Sequence, residues 1–182
     1  MEGREAPHPA IDLSARLRRI ARECDSHAKA AAEGLPAGFG QVDDVIVLLQ
    51  PLRSGAPKDD QELLESTLRQ LAEKNFLTGT QAVEDNGVWA ALLRGCAARG
   101  FGFHAELSEN EGARAEEALL GERGARALVS ARPKAHLPLA NFVERSGRFT
   151  AEAIGRVTAR DIRVRWMGET VLEAESLDLE TE

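Results

Sequence analysis

Residues 45–49 read Val-Ile-Val-Leu-Leu, a continuous run of β-branched and apolar side chains between polar segments. A short run of this kind predicts a strand that is buried on both faces of a sheet. Burial of both faces requires further elements above and below the strand. The run therefore predicts a layered fold, and the neighbouring segments supply the layers.

The segments on either side alternate between helical and strand patterns. Upstream, apolar residues recur at helical spacing and predict an amphipathic helix over about 13–32. Downstream, residues 78–87 are interpreted as a polar connection, and residues 167–169 as the turn of a hairpin. The other predicted helices cover about 60–74, 88–99, 113–120 and 133–145, and the other predicted strands about 101–107, 127–130, 152–158, 161–166 and 170–174.

This order of elements predicts an α+β protein, built as a layered α/β sandwich with a mixed sheet. We divide the chain into residues 1–37, a leader with the N-terminal amphipathic helix, and residues 38–182, which hold the remaining elements. The helix carries Arg16, Arg18 and Arg19 between its apolar positions. Its apolar stripe could dock onto a partner chain instead of its own sheet.

The composition is that of an ordinary globular protein. Of the 182 residues, 43% are hydrophobic and 29% are charged. No apolar run approaches the roughly 20 residues that a membrane span needs, and no apolar N-terminal stretch resembles a signal peptide. We therefore expect a cytoplasmic protein with no membrane partner.

Charge and side-chain chemistry argue against two further classes of protein. The formal net charge is −7, aromatic residues make up 4% and tyrosine is absent, so no nucleic-acid partner is expected. The four histidines are scattered, and Cys24 and Cys96 belong to no paired motif, so no metal site is predicted. Both cysteines are interpreted as small core residues.

No catalytic residue is nominated, because the chain has no phosphate loop, no Gly-x-Gly-x-x-Gly turn and no nucleophile elbow. Two short segments are candidate anion sites. Asn86-Gly87 precedes a predicted helix, whose free N–H groups and dipole favour an anion; the alternative is an ordinary helix start. Gly121-Glu122 with Arg126 places an acid and a base around a tight turn; the alternative is a surface ion pair.

The order of the segments resembles a known superfamily more than any single motif does. The order runs through the run at 44–49, the helix over 60–74, residues 81–87 entering a helix and the strand over 101–107, and then through Gly121-Glu122 with Arg126 and Ile154-Gly155-Arg156-Val157. Over residues 38–180 this order resembles the C-terminal domain of the aminoimidazole ribonucleotide (AIR) synthetase superfamily, and most of all that of the phosphoribosylformylglycinamidine (FGAM) synthase family. This resemblance implies an AIR synthase-related fold, and a relation to a Mg-ATP-dependent ligase of purine biosynthesis. Its most specific pieces are Gly121-Glu122 with Arg126 before a strand, and Ile154-Gly155-Arg156-Val157 near the end.

The cleft motif of that family departs from its usual form here. In the family, the motif before the long helix is Asp-Val-Ser-(Asp/Glu)-Gly-Gly, whereas residues 82–87 of this chain are Ala-Val-Glu-Asp-Asn-Gly. The resemblance therefore implies a degenerate site, in which Asp85, Asn86 and Gly87 are the remnant of the cleft motif. The resemblance also implies that Gly121, Glu122 and Arg126 are retained as ligand contacts.

The resemblance leads to two hypotheses of different class. Family members place ATP, magnesium and much of the catalytic apparatus on a preceding N-terminal domain, and residues 1–40 are too short to form one. The first hypothesis is that the chain is a stand-alone C-terminal domain, which is inactive and has no cofactor by itself. A separate chain with the ATP-binding domain would complete its cleft. The second is a non-catalytic binding or regulatory module. A homo-oligomer and a small enzyme of unrelated chemistry stay open, because fold does not determine function.

Overall fold

The computed structural model describes residues 9–53 and 57–175. The start of the predicted leader, up to residue 8, lies outside the described residues, as do residues 54–56 and 176–182. The helices are α1 Pro9–Glu23, α2 Pro57–Glu73, α3 Gly87–Ala97, α4 Ala115–Leu120 and α5 Pro133–Arg145. The strands are β1 Val45–Pro51, β2 Gly79–Ala82, β3 Gly102–Leu107, β4 Ala127–Ala131, β5 Phe149–Thr158, β6 Asp161–Trp166 and β7 Glu169–Glu175.

The seven strands form one mixed sheet in the order β2-β4-β1-β5-β3-β6-β7. Strands β3 and β6 run parallel, and every other neighbouring pair is antiparallel. The β6–β7 hairpin turns at Met167 and Gly168, which both have a positive φ. The prediction of an α+β protein with a mixed sheet and a final hairpin is confirmed. In the described ranges, no helix is both long enough and apolar enough to cross a membrane.

Strand β1 is buried on both faces, as its sequence predicts. Ile46 and Leu48 lie in one hydrophobic core, and Val47 and Leu49 lie in a second core on the opposite face. None of these four side chains is exposed. The first core is completed by residues of α1, α3 and α4, and the second by residues of α2 and α5. Helices therefore cover this part of the sheet on both sides.

Helix α1 packs against its own chain. Its apolar residues Leu13, Leu17 and Ile20 are buried in the first core. The indole Nε1 of Trp89, in α3, donates a hydrogen bond of 3.0 Å to the Leu17 carbonyl oxygen. The hypothesis that this apolar stripe docks onto a partner chain is therefore wrong. The domain division at residue 37 stays a prediction.

Helix α1 ends well before the predicted limit near residue 32. The backbone amides that follow it donate to side chains of β2 instead of continuing a helical turn. The Lys29 amide donates to Oε1 of Gln81, and the Ala31 amide to Oγ1 of Thr80, both at 3.0 Å. These bonds satisfy the backbone in an irregular conformation, which the periodicity of the sequence does not reveal.

The interpretation of residues 78–87 as a connection without regular structure is wrong over its first half. Residues 79–82 form β2, which pairs antiparallel with β4. Thr80 and Gln81 are fully buried there. Their polar side chains suggested a loop, but the amides of the preceding segment provide them with partners, and a polar strand at the sheet edge is stable as a result.

Candidate functional site

The turn that precedes α3 has a left-handed backbone. Asn86 and Gly87 both have φ of 62°, a region in which asparagine and glycine are the least strained residues. A Cβ atom on Gly87 would lie 2.8 Å from the Leu119 carbonyl oxygen and 2.9 Å from that of Gly121. The start of α3 is therefore packed tightly against the end of α4 and the loop that follows.

The two candidate anion sites of the sequence meet in one place. The Asn86 amide donates a hydrogen bond of 3.4 Å to Oε1 of Glu122, across 36 positions of the chain. Glu122 is exposed, and its carboxylate lies at the positive end of α3, where the helix dipole favours negative charge. The structure thus brings Asn86, Gly87, Gly121 and Glu122 together, and the chain's own carboxylate lies where an anion would bind.

Arg126 closes the same loop and is buried, with 4% of its surface exposed. Its Nε donates to the Arg123 carbonyl oxygen at 3.0 Å, and its Nη2 to the Gly121 carbonyl oxygen at 2.5 Å. Among the described residues, its Nη1 has no hydrogen-bond partner. Burial, together with the charge of Arg123, lowers the pKa of Arg126 to about 10. The guanidinium therefore stays charged at neutral pH.

The alternative interpretation of Glu122 and Arg126 as a surface ion pair is wrong. Arg126 is buried and donates to backbone carbonyls. In the part of the chain that the structure describes, the ion pair of this loop joins Arg123 to Glu117. Arg126 therefore stabilises the loop from a buried position, and its Nη1 has a donor available for another acceptor.

A cavity of 640 Å³ opens beside this loop. Arg123, Gly124 and Arg126 form part of its wall, and Asp60 and Glu152 add two carboxylates. A guanidinium fork matches the geometry of a phosphate or carboxylate, whereas the carboxylates accept from hydroxyl and amine groups. The volume is within the range of small-molecule sites. The arrangement is suited to a polar ligand that carries both anionic and donor groups.

Asp85 is the predicted site residue that the structure leaves outside these contacts. It is exposed in the turn before α3, and within residues 9–53 and 57–175 no hydrogen bond or ion pair joins it to another side chain. In the same ranges, no three histidine, cysteine, aspartate or glutamate side chains come together as a metal site.

A buried polar network was not predicted from the sequence. Asp44, just before β1, is fully buried, and its Oδ2 accepts a hydrogen bond of 2.6 Å from Oγ1 of Thr78. Oγ1 of Thr78 lies 2.8 Å from the hydroxyl of Ser130, and that hydroxyl accepts a hydrogen bond of 3.0 Å from the Gly40 amide. The only sequence signal for this network was the position of Asp44, an acidic residue directly before the apolar run of β1. The network connects the ends of β1, β2 and β4.

The comparison with solved structures decides which fold this is. PurL of Thermotoga maritima in complex with FGAR matches 80% of this chain with a TM-score of 0.69 and 14% sequence identity, and the match covers 29% of the PurL chain. PurL in complex with ATP matches with a TM-score of 0.69 and 16% identity over 80% of this chain and 27% of PurL. The chain has the AIR synthase-related fold.

A hydrogenase maturation protein shows the same fold more distantly. HypE of E. coli matches 74% of this chain with a TM-score of 0.52 and 14% identity, over 49% of its own length. No family model and no curated protein sequence matches the chain. The AIR synthase-related fold close to FGAM synthase, which the order of segments predicted, is confirmed. The chain spans less than a third of the PurL chains that it matches.

Proposed function

We propose that this chain is one half of a ligand cleft of the FGAM synthase type, inactive alone and completed by a separate polypeptide with the ATP-binding domain. The observation that carries the proposal is the buried Arg126, whose Nη1 lacks a partner in the described part of the chain beside the left-handed turn at Asn86-Gly87.

A buried guanidinium nitrogen without an acceptor is costly, by roughly 1–3 kcal/mol. A phosphate or carboxylate of a ligand would remove that cost, because it offers several acceptor oxygens to the fork of Arg126. The Asn86 amide, just before α3, would bind a second oxygen, in competition with the exposed Glu122. The bond of 3.4 Å between the Asn86 amide and Glu122 is long enough for such competition to succeed.

PurL of T. maritima has been solved with ATP and with FGAR, and the residues here fit part of such a ligand. Arg126 and the Asn86 amide would hold phosphate oxygens. Among the described residues, no three carboxylate or histidine side chains lie close enough together to hold a metal ion. We therefore assign the binding of Mg²⁺ to the partner polypeptide. Mg-ATP, when bound, supplies phosphoryl transfer; this chain positions the phosphate and excludes water from one side.

The test is a reconstitution. The chain is used as bait in extract of its own cells, and any captured polypeptide with an ATP-binding domain of the same superfamily is then co-purified with it. ATP-dependent amidation of FGAR is measured for the pair and for each component. We expect activity from the pair and none from this chain alone. Activity of the chain alone would overturn the proposal.

Substitution of Arg126 makes the test specific to the site. In the reconstituted pair, Arg126→Gln is expected to lower kcat/KM for FGAR about tenfold or more, which corresponds to the loss of one charged hydrogen bond. Arg132→Gln is the matched control, because Arg132 is exposed beyond the other end of β4. Size-exclusion chromatography must show an intact complex for both variants.

A second function, a non-catalytic binding module, is favoured by one observation. The carboxylate of Glu122 lies at the start of α3, where a substrate anion would otherwise bind. Under this function the captured partner binds equally well with and without ATP, and Glu122→Gln leaves the complex unchanged. Under the first function Glu122→Gln is expected to lower the Kd for phosphate ligands, since a competing charge is removed.

A further inference from the structure

A second cavity, of 820 Å³, lies away from the site described above, by the C-terminal end of α3. The helix has 11 residues and is therefore roughly 16 Å long, so the cavity and the left-handed turn are at its opposite ends. The last turn of α1, the beginning of β3 and the turn between β5 and β6 complete the wall.

Four arginines line this cavity: Arg22, Arg94, Arg99 and Arg160. Asp25 is the single acidic residue among its lining residues. Its carboxylate is engaged by His27, through both the backbone amide and the ring. The cavity thus concentrates positive charge in a chain whose formal net charge is −7. Such a concave cluster attracts anions, and its low-dielectric walls focus the field.

Two of the arginines are held in place by backbone carbonyls. Nε of Arg94 donates to the Asp25 carbonyl oxygen at 3.3 Å, and Nη1 of Arg99 donates to the Gly40 carbonyl oxygen. A guanidinium has five N–H donors, so each of these bonds orients the fork and leaves other donors for a ligand. The dipole of α3 stabilises arginines near its C-terminus even without a ligand. Arg160 lies in the turn between β5 and β6, so this dipole does not explain its presence in the cavity.

The remaining wall is apolar. Val42 is 38% exposed, and Leu93 and Phe101 are partly exposed at the same cavity. An arginine cluster alone fits inorganic phosphate, whereas an arginine cluster next to apolar side chains fits an anion with a hydrophobic body. The cavity volume, 820 Å³, is sufficient for a ligand of that size.

We propose that this cavity binds a small organic phosphate, with the phosphate held by Arg94, Arg99 and Arg160 and an aromatic or other apolar group against Val42 and Phe101. The site is independent of the cleft at the start of α3. Its ligand class follows from the combination of guanidinium forks and apolar wall.

The test uses naphthyl phosphate as the probe, with inorganic phosphate and naphthol as its two separate parts. We expect naphthyl phosphate to bind more tightly than either part, and its affinity to fall as salt is raised, because the charges are partly exposed. The double variant R99Q/R160Q is expected to raise the Kd for naphthyl phosphate about tenfold or more. The control R145Q/R148Q removes two exposed arginines on and just after α5 and leaves the Kd unchanged.

Alkylation of Cys24 by iodoacetamide provides a second readout at the cavity itself. Cys24 is partly exposed on the cavity wall, whereas burial raises the pKa of Cys96 and keeps that thiol unreactive. Bound naphthyl phosphate should slow the alkylation of Cys24 in the natural chain but not in R99Q/R160Q. The variant Arg126→Gln should leave this protection intact, which separates the cavity from the cleft.

Three results would overturn the proposal. The first is that naphthyl phosphate does not bind to the folded chain. The second is that R99Q/R160Q and R145Q/R148Q lose the same affinity for naphthyl phosphate, and the third is that naphthol alone protects Cys24 from alkylation. Circular dichroism must first show that both double variants fold. If R99Q/R160Q does not fold, the single variant Arg160→Gln takes its place, since Arg160 is exposed.

Discussion

The Arg126 guanidinium donates a hydrogen bond of 2.5 Å to the carbonyl oxygen of Gly121, five positions earlier in the chain. A second bond, to the Arg123 carbonyl oxygen, makes the side chain a clamp that closes the loop between α4 and β4. The loop in turn contacts the start of α3 through Gly87 and Glu122. One buried arginine therefore determines the shape of the candidate site.

Replacement of this arginine should destabilise the fold as well as the site. In Arg126→Gln the shorter side chain cannot reach both carbonyl oxygens, so we expect the free energy of unfolding to fall by about 1–3 kcal/mol. Urea denaturation measures it. Arg123→Gln is the control, because its exposed ion pair with Glu117 is worth at most about 1 kcal/mol. Equal losses in the two variants would contradict the clamp.

The close approach of Gly87 to α4 predicts a difference between two glycines of similar conformation. Gly87 and Gly100 have φ of 62° and 66°, but a Cβ on Gly100 would meet no atom within 4 Å. Gly100→Ala should therefore cost only the left-handed strain, about 1–2 kcal/mol.

Gly87→Ala should cost about 1–3 kcal/mol more, because the new methyl group overlaps two carbonyl oxygens. Thermal unfolding of both variants measures the difference. A Gly87→Ala variant that is as stable as Gly100→Ala would show that the contact between α3 and the loop after α4 is loose.

The packing of α1 predicts that its leucines stabilise the single chain. Leu17 is fully buried, so Leu17→Ala should lower the free energy of unfolding by about 2–5 kcal/mol. Leu137→Ala, in which the side chain is 67% exposed, should change it by less than about 0.5 kcal/mol. Urea denaturation at two protein concentrations distinguishes this packing from docking between chains, under which the effect of Leu17→Ala would depend on concentration.

The pair of His104 and Asp161 predicts a pH dependence. The bond to His104 lowers the pKa of the Asp161 carboxyl below its ordinary value of 3.8. A carboxyl with a lowered pKa stabilises the folded state above its unfolded pKa, and this contribution is lost as the pH falls through the folded pKa.

Carboxyl NMR titration of Asp161 should therefore give a pKa below 3.8 in the natural chain and a higher pKa in His104→Gln than in the natural chain. The stability of His104→Gln should also fall less than that of the natural chain between pH 5 and pH 3, within the range where aspartates titrate. An unchanged Asp161 titration in the variant would contradict the pairing.

Elements with strong local patterns were predicted well from the sequence. The continuous apolar run of β1 and the turn at Met167-Gly168 each depend on neighbouring residues, and each was confirmed. Elements whose backbone bonds to distant side chains were missed. Oγ1 of Thr80 accepts from the Ala31 amide, 49 positions away, and this bond fixes the irregular segment after α1 and stabilises β2.

The sequence by itself determined the layered α+β fold, the position of Asn86-Gly87 at the start of a helix and the resemblance to AIR synthetases. The first two depend on side-chain periodicity and backbone preference, which are local properties, and the resemblance depends on the order of the segments. Only the tertiary structure decided that Asn86 meets Glu122, that Arg126 is buried and that four arginines line one cavity. The physical reason is that burial and charge environment depend on how α1, α3 and α4 pack on the sheet, across separations that no local pattern records.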